Sequence, residues 1–126
     1  MIALVIVVWL RMYVERVGQM QRQRIHPQAV ASRKAMSERV QDSRAVDNFQ
    51  NLFEVPILFY LLVVLLLIFN RVDEFYIYLS WAFVGCRIMH SLIHITYNKV
   101  MHRFPVYVLS CLLLWFMWIR FAIHLL

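Results

Sequence analysis

The sequence predicts an all-α integral membrane protein, a bundle of four helices, and three observations carry that prediction. Hydrophobic residues make up 63% of the 126-residue chain, against roughly 45–50% in an ordinary soluble domain. They fall in four continuous runs, about 2–20, 46–69, 75–97 and 105–126, none of which alternates as a barrel strand does. Each run approaches the about 20 residues that a spanning helix requires, and in lipid only helices and closed barrels satisfy their own backbone. Four spans fill the chain as one membrane domain, 1–126, and leave no length for a soluble one. With 16% charged residues, two glycines and three prolines, disorder and glycine-rich phosphate loops are disfavoured.

The first run, opening MIALVIVVWL, lacks the basic start and small-residue cleavage site of a secretory signal, so it is expected to be retained as the first span. The second run follows the only long connection, QRQRIHPQAVASRKAMSERVQDSRA. The third is separated from it by NRVDE, a tight turn, and the fourth follows NKVMHRF and begins at Pro105, a residue favoured in a first helical turn. Short turns make the last three spans antiparallel neighbours. Cys86 and Cys111 lie inside apolar runs without metal or disulfide spacing and are read as buried small hydrophobes.

The net charge of +6 comes from thirteen Lys and Arg against seven Asp and Glu. Arg22, Arg24, Arg33, Lys34, Arg39 and Arg44 sit on the first connection and Lys99 and Arg103 on the third, whereas the second has only Arg71 beside Asp73 and Glu74. This bias orients the first and third connections to the cytoplasm and both termini outside it. Most of that charge contacts anionic lipid. Nucleic acid is not expected, because the basic connection has no aromatic residues on which bases could stack.

Ionisable residues inside spans are costly and therefore functional candidates. Arg11 and Glu15 are four apart; Arg44, Asn48 and Asn51 form a stripe extended by Glu54; Arg87, His90, His94 and Asn98 form another. At about 1.5 Å per residue, Glu54 lies about 13 Å along the second span and Arg87 about 16 Å along the third. That similarity of depth predicts a Glu54–Arg87 ion pair, with Glu15 as the other acid able to reach. A buried pair of this kind also serves to hold helices in register. The surrounding set, Arg11, Arg16, Arg44, Arg87 and Arg103 against Glu15, Asp47 and Glu54, is net cationic and suited to an anion. His90 and His94 supply only two groups toward a metal, so hydrogen bonding across helices is the expectation and no metal site is assigned.

The stretch RAVDNFQNLFEVP from Arg44 to Pro56, then GCRIMHSLIH, then Arg103 sixteen residues after Arg87, resembles the MAPEG family, membrane-associated proteins in eicosanoid and glutathione metabolism. The likeness covers nearly the whole chain; NFQNLFEVPILFY is most similar to small bacterial members, and LRMYV to the first helix of prostaglandin-synthesising ones. The resemblance implies a homotrimer, in a bacterial inner membrane, with glutathione between subunits near the cytoplasmic side. Arg103 matches the arginine that stabilises the glutathione thiolate; Arg44 and Asn48, Arg87 and His90, and Tyr107 match glutathione contacts. One of Arg22 or Arg24 is a further basic contact.

Arginine forks suit the carboxylates of glutathione, and Glu54 or Asp47 suits its ammonium. A lipophilic electrophile would reach the thiol from the bilayer, as transferase or peroxidase substrate. Three departures stand out: Asn51 where several eicosanoid enzymes carry an acid, His94 in place of a tyrosine, and Phe104 in place of a small hydroxyl residue after Arg103. The last argues against the prostaglandin reaction itself, and the first moves the ion-pair partner of Arg87 to Glu54. The alternative function is a non-catalytic membrane binding or scaffold protein of the same fold. A small proton-coupled exporter built on Glu15 fits the arginine-rich interior poorly.

Overall fold

A computed structural model describes residues 1–30 and 44–125, and the regular structure among them is helical throughout. Helix α1 spans Ile2–Arg22 and is followed by a 3₁₀ turn, Pro27–Val30; then come α2 (Arg44–Asn51), α3 (Val55–Ile68), α4 (Glu74–Ile95) and α5 (Val100–Leu125). Arg33, Lys34 and Arg39 of the basic connection lie outside the described residues. Two stretches, Arg44–Ile68 taken through its break and Val100–Leu125, are long and apolar enough to cross a bilayer.

The second apolar run is not one continuous helix. Pro56 has no N–H to donate, and its ring crowds the carbonyl four residues earlier, that of Leu52. The chain therefore leaves helical geometry at 52–54 and restarts with Glu54 as the cap of α3 and Pro56 inside its first turn, where proline is tolerated. Backbone bonds from Leu52 N to the Asn48 carbonyl (3.2 Å) and from Phe53 N to the Gln50 carbonyl (2.8 Å) close the end of α2. The last helix likewise starts earlier than Pro105. The Lys99 carbonyl accepts from the amides of His102 and Arg103, both at 3.1 Å, so α5 begins at Val100 and Pro105 stands inside it. The carbonyl deprived of a donor by Pro105 is that of Met101, a residue 82% exposed.

Three turns carry a left-handed residue, Arg24, Asn70 and Asn98, and two of them close in the same way. After α3, Asn70 has φ 51° and the Arg71 amide reaches back to the Leu66 carbonyl at 2.9 Å; after α1, Arg24 has φ 51° and the Ile25 amide reaches the Met20 carbonyl at 2.9 Å. Both are the 6→1 closure that satisfies orphan carbonyls at a helix end.

Helix α4 packs along α5 in the most extensive contact, α1 leans on α2, α2 on α4, and α3 on α5. The core joins Phe59, Leu62 and Leu66 of α3 with Tyr76 and Phe83 of α4 and Leu114, Met117 and Phe121 of α5. Phe59 and Phe83 stack with centroids 4.5 Å apart. Lipid tails are as apolar as these side chains, so it is close packing that holds the helices together here. Outward-facing apolar residues such as Trp81 (71% exposed) and Leu112 (61%) form the lipid-compatible surface.

The two ends of the bundle are fastened differently. At the turn between α3 and α4, Asp73 caps α4 by accepting from the Tyr76 amide (2.8 Å) and forms a two-pronged ion pair with Arg120 of α5, 3.0 and 2.5 Å. The Arg120 guanidinium also lies over the rings of Phe75 (4.8 Å) and Tyr76 (4.3 Å). Hydrogen bonding to Arg120, then to the Tyr76 amide, holds the Asp73 carboxyl at about 2. At the opposite, basic end, α4 terminates under two arginines from other helices. Arg11 donates to the Ile95 carbonyl at 3.5 Å and Arg44 to the Thr96 carbonyl at 2.7 Å, placing cations on the negative end of the helix dipole.

Candidate polar site at the basic end

The polar stripe of α4 is buried, and it is met by α2 on one side and α5 on the other. Arg87, Ser91 and His94 recur at helical spacing, and all three are almost or fully inaccessible, as is Asn48 of α2. Ser91 Oγ donates to Asn48 Oδ1 at 3.2 Å, and Arg87 Nη2 donates to the Asn51 carbonyl at 2.7 Å. That carbonyl is available because the helix breaks after Asn51; in a continuous helix it would accept from residue 55. Pro56 thus builds the acceptor that Arg87 uses.

On the α5 side, His90 Nδ1 lies 3.3 Å from the Arg103 carbonyl. Since a carbonyl only accepts, the ring carries its proton on Nδ1. The Tyr107 ring is 5.5 Å from that of His90, and the Arg87 guanidinium lies 5.5 Å from the Tyr107 centroid. Arg103 is half-buried, and its Nη1 donates to Asn98 Oδ1 at 2.7 Å.

Of the residues singled out in the sequence, the fold brings Asn48, Arg87, His90, Arg103 and Tyr107 together. Arg44 stands at the helix ends, on the Thr96 carbonyl. The expected Glu54–Arg87 ion pair is not formed: no carboxylate lies within 4.0 Å of Arg87 among the described residues, and Glu54 is exposed. Matching depths bring the two together only on an unbroken helix, and the break leaves Glu54 exposed while offering Arg87 a carbonyl instead. The other candidate acid, Glu15, is paired with Arg11 at 2.8 Å on its own helix. Sequence reasoning missed Ser91 as the partner of Asn48, although Ser91 lies one turn from Arg87 on the same stripe. It also missed Asn98 as the partner of Arg103.

Several buried atoms of this cluster have no hydrogen-bond partner among the described residues: Arg87 Nε and Nη1, Asn48 Nδ2, His90 Nε2 and both ring nitrogens of His94. Among the described residues no three His, Cys, Asp or Glu side chains group as a metal set. A separate apolar cleft of about 660 Å³ lies between the start of α1, α3 and α4, lined by Phe59, Tyr60, Tyr76 and Trp81 among others. It belongs to the Asp73 half of the bundle and does not include the polar cluster.

A helical membrane bundle with a buried arginine–histidine–tyrosine cluster at its basic end is the class of protein this architecture defines. The MAPEG family model matches residues 1–123, and the chain belongs to the MAPEG family. Membership points to a membrane protein of glutathione and eicosanoid metabolism. No curated protein and no solved structure gave a significant match.

Proposed function

We propose that this chain spans the membrane four times, assembles as a homotrimer, and binds glutathione at its basic end, where Arg103 stabilises the thiolate for attack on a lipophilic electrophile. The observation that carries this reading is the state of Arg103. Its guanidinium is half-buried, held in place by a neutral amide, Asn98, and has no carboxylate within 4.0 Å among the described residues. Its charge therefore remains available to an incoming anion, and partial burial strengthens that attraction relative to bulk water.

A free cysteine thiol titrates near 8.5 and is a weak nucleophile until a cation lowers it. Lowering it by about two units requires about 2.7 kcal/mol of preferential thiolate stabilisation. A single well-placed guanidinium supplies interaction of that order. Tyr107, one turn beyond Arg103, and His90, on the Arg103 carbonyl, fix the geometry. Arg44 and Glu54, which keep accessible surface, serve the charged ends of glutathione directly, whereas Asn48 and Arg87 hold the site from behind. The basic connections face the cytoplasm of a bacterium and the termini the other side. Transfer to the electrophile and reduction of a peroxide are both compatible with such a thiolate.

The test is the ultraviolet thiolate band of glutathione added to the purified protein in detergent. A saturable band in wild type that disappears in Arg103→Ala, with the oligomer retained, is the expected result; a band retained in Arg103→Ala sinks the role of Arg103. One observation favours the second reading, a non-catalytic binding or scaffold protein: the Arg44 guanidinium already serves the α4 terminus. That reading expects no turnover with electrophiles or peroxides, and steady turnover rejects it.

A further inference from the structure

We propose that the apolar cleft between the start of α1, α3 and α4 holds an acyl chain of one zwitterionic phospholipid, whose headgroup is taken by Arg71 and Glu74 at the connection between α3 and α4. The cleft, about 660 Å³, exists because α1 makes its main contact with α2 and stands apart from α3 and α4 at its start. Its long walls run from Phe59 to Leu67 on α3 and from Tyr76 to Val84 on α4. At about 1.5 Å per residue, each wall is about 12 Å deep. The inner end is marked by the stack of Phe59 on Phe83, and the connection 69–73 stands at the outer end, so the cleft runs along the helices. One leaflet contributes about 15 Å of a bilayer's hydrocarbon core. The cleft thus spans most of one leaflet and stops short of the other.

Volume and charge select the occupant. An α-helix with its side chains is about 10–12 Å across, so a 12 Å length of one fills about 900 Å³ or more, above the volume present. An unbranched hydrocarbon chain is far thinner, and it can enter sideways from the bilayer because Leu67, Ile77 and Trp81 of the lining are exposed. Hydrocarbon in the cleft replaces hydrocarbon in the bilayer, so selectivity rests on close packing and on the headgroup. At the outer end, Arg71 precedes Val72 of the wall, and Glu74 lies two residues before Tyr76. Both are exposed, and neither side chain has a hydrogen bond or an ion pair among the described residues. The other two charges there, Asp73 and Arg120, are taken up by each other. An unpaired cation and an unpaired anion three residues apart match a headgroup with one phosphate and one ammonium: the guanidinium suits the phosphate and the carboxylate the ammonium. A purely anionic headgroup would set like charge beside Glu74.

The experiment uses the whole protein in detergent, stripped of lipid by extensive exchange and titrated with phosphatidylethanolamine, phosphatidylglycerol or diacylglycerol, with bound lipid counted by native mass spectrometry. The expected result is saturable binding of one phosphatidylethanolamine per chain, tighter than that of the other two lipids. Ser80→Trp, which places a large ring midway along the α4 wall, is expected to abolish it. Arg71→Gln is expected to weaken it at least about tenfold, and Glu74→Gln to remove the advantage of phosphatidylethanolamine over phosphatidylglycerol. Absence of saturable binding in wild type overturns the proposal, as does binding that Ser80→Trp leaves intact. If Ser80→Trp does not fold, the exposed Arg71 decides: an unchanged midpoint in Arg71→Gln, or diacylglycerol bound as tightly as phosphatidylethanolamine, overturns it. A wild type that binds no lipid while Ser80→Trp alters the oligomer assigns the cleft to a neighbouring subunit instead.

Discussion

Substituting Ser91 by alanine tests whether α2 and α4 are joined by polar contact or merely lie side by side. Ser91 and Asn48 are both 0% exposed, and the bond between them is 3.2 Å. Deleting the hydroxyl removes that bond and leaves a buried amide with neither its oxygen nor its nitrogen paired, since Nδ2 has no partner among the described residues. Interhelical hydrogen bonds in membrane bundles average about 0.6 kcal/mol and reach about 1.7; a buried acceptor deprived of its donor adds about 1–3 kcal/mol. Against these stands a gain of a few tenths of a kcal/mol from the better helix propensity of alanine. The expected net loss is about 1–4 kcal/mol. The assay is reversible unfolding in mixed detergent and dodecyl sulfate, as a double-mutant cycle with Asn48→Ala. Because the second substitution removes the stranded amide, the double variant is expected to be less damaged than the sum of the singles. A neutral Ser91→Ala, or strict additivity, refutes the buried polar seam.

Three further outcomes follow from the structure. Gly85 lies within α4, and a Cβ built there meets nothing within 4 Å, so Gly85→Ala is expected to raise stability by about 0.5–1 kcal/mol in the same unfolding assay; a loss instead would mean that a neighbouring subunit packs against this face. Phe83, 0% exposed and stacked on Phe59, is expected to lose about 3–5 kcal/mol as Phe83→Ala, and a loss under about 1 kcal/mol would show that the apolar core repacks freely. The Asp73 carboxyl is held at about 2, below its ordinary 3.8. A depressed carboxylate stabilises the fold above its unfolded value and loses that contribution as pH falls through the folded one. The melting temperature of wild type is therefore expected to fall between about pH 4 and pH 2 more steeply than that of Asp73→Asn; parallel profiles would count against the pair with Arg120.

How much of this was legible in the chain depends on what each signal measures. Helix content and the polar face of α4 were readable, because Arg87, His90 and His94 repeat at a spacing that only one secondary structure brings to one side. His90 and Tyr107, singled out separately, do meet in the fold. The partner of Arg87 was not readable. Depth was counted along an ideal helix, and Pro56, which looks unremarkable in a long apolar run, displaces the chain just where the counting mattered. The same proline removes Glu54 from the interior and exposes a backbone carbonyl, a group that sequence patterns never display. Pro105 misled in the opposite direction: it marked a helix start, whereas the Lys99 carbonyl begins α5 one turn and more before it. Among the described residues hydropathy alone singles out Arg44–Ile68 and Val100–Leu125 as long and apolar enough to cross, while α1 and α4 carry charged and polar residues, Arg11, Glu15, Arg87 and His94 among them.

The contrast between the two ends of the bundle has a mechanical consequence. The end at Asp73 is closed by a two-pronged ion pair whose guanidinium lies over two aromatic rings. The end at Ile95 and Thr96 is closed by guanidinium groups from two other helices resting on the last carbonyls of α4. Removing one carboxylate, that of Asp73, therefore unfastens the first end, whereas the second spreads its hold over several helices and depends on no single charge.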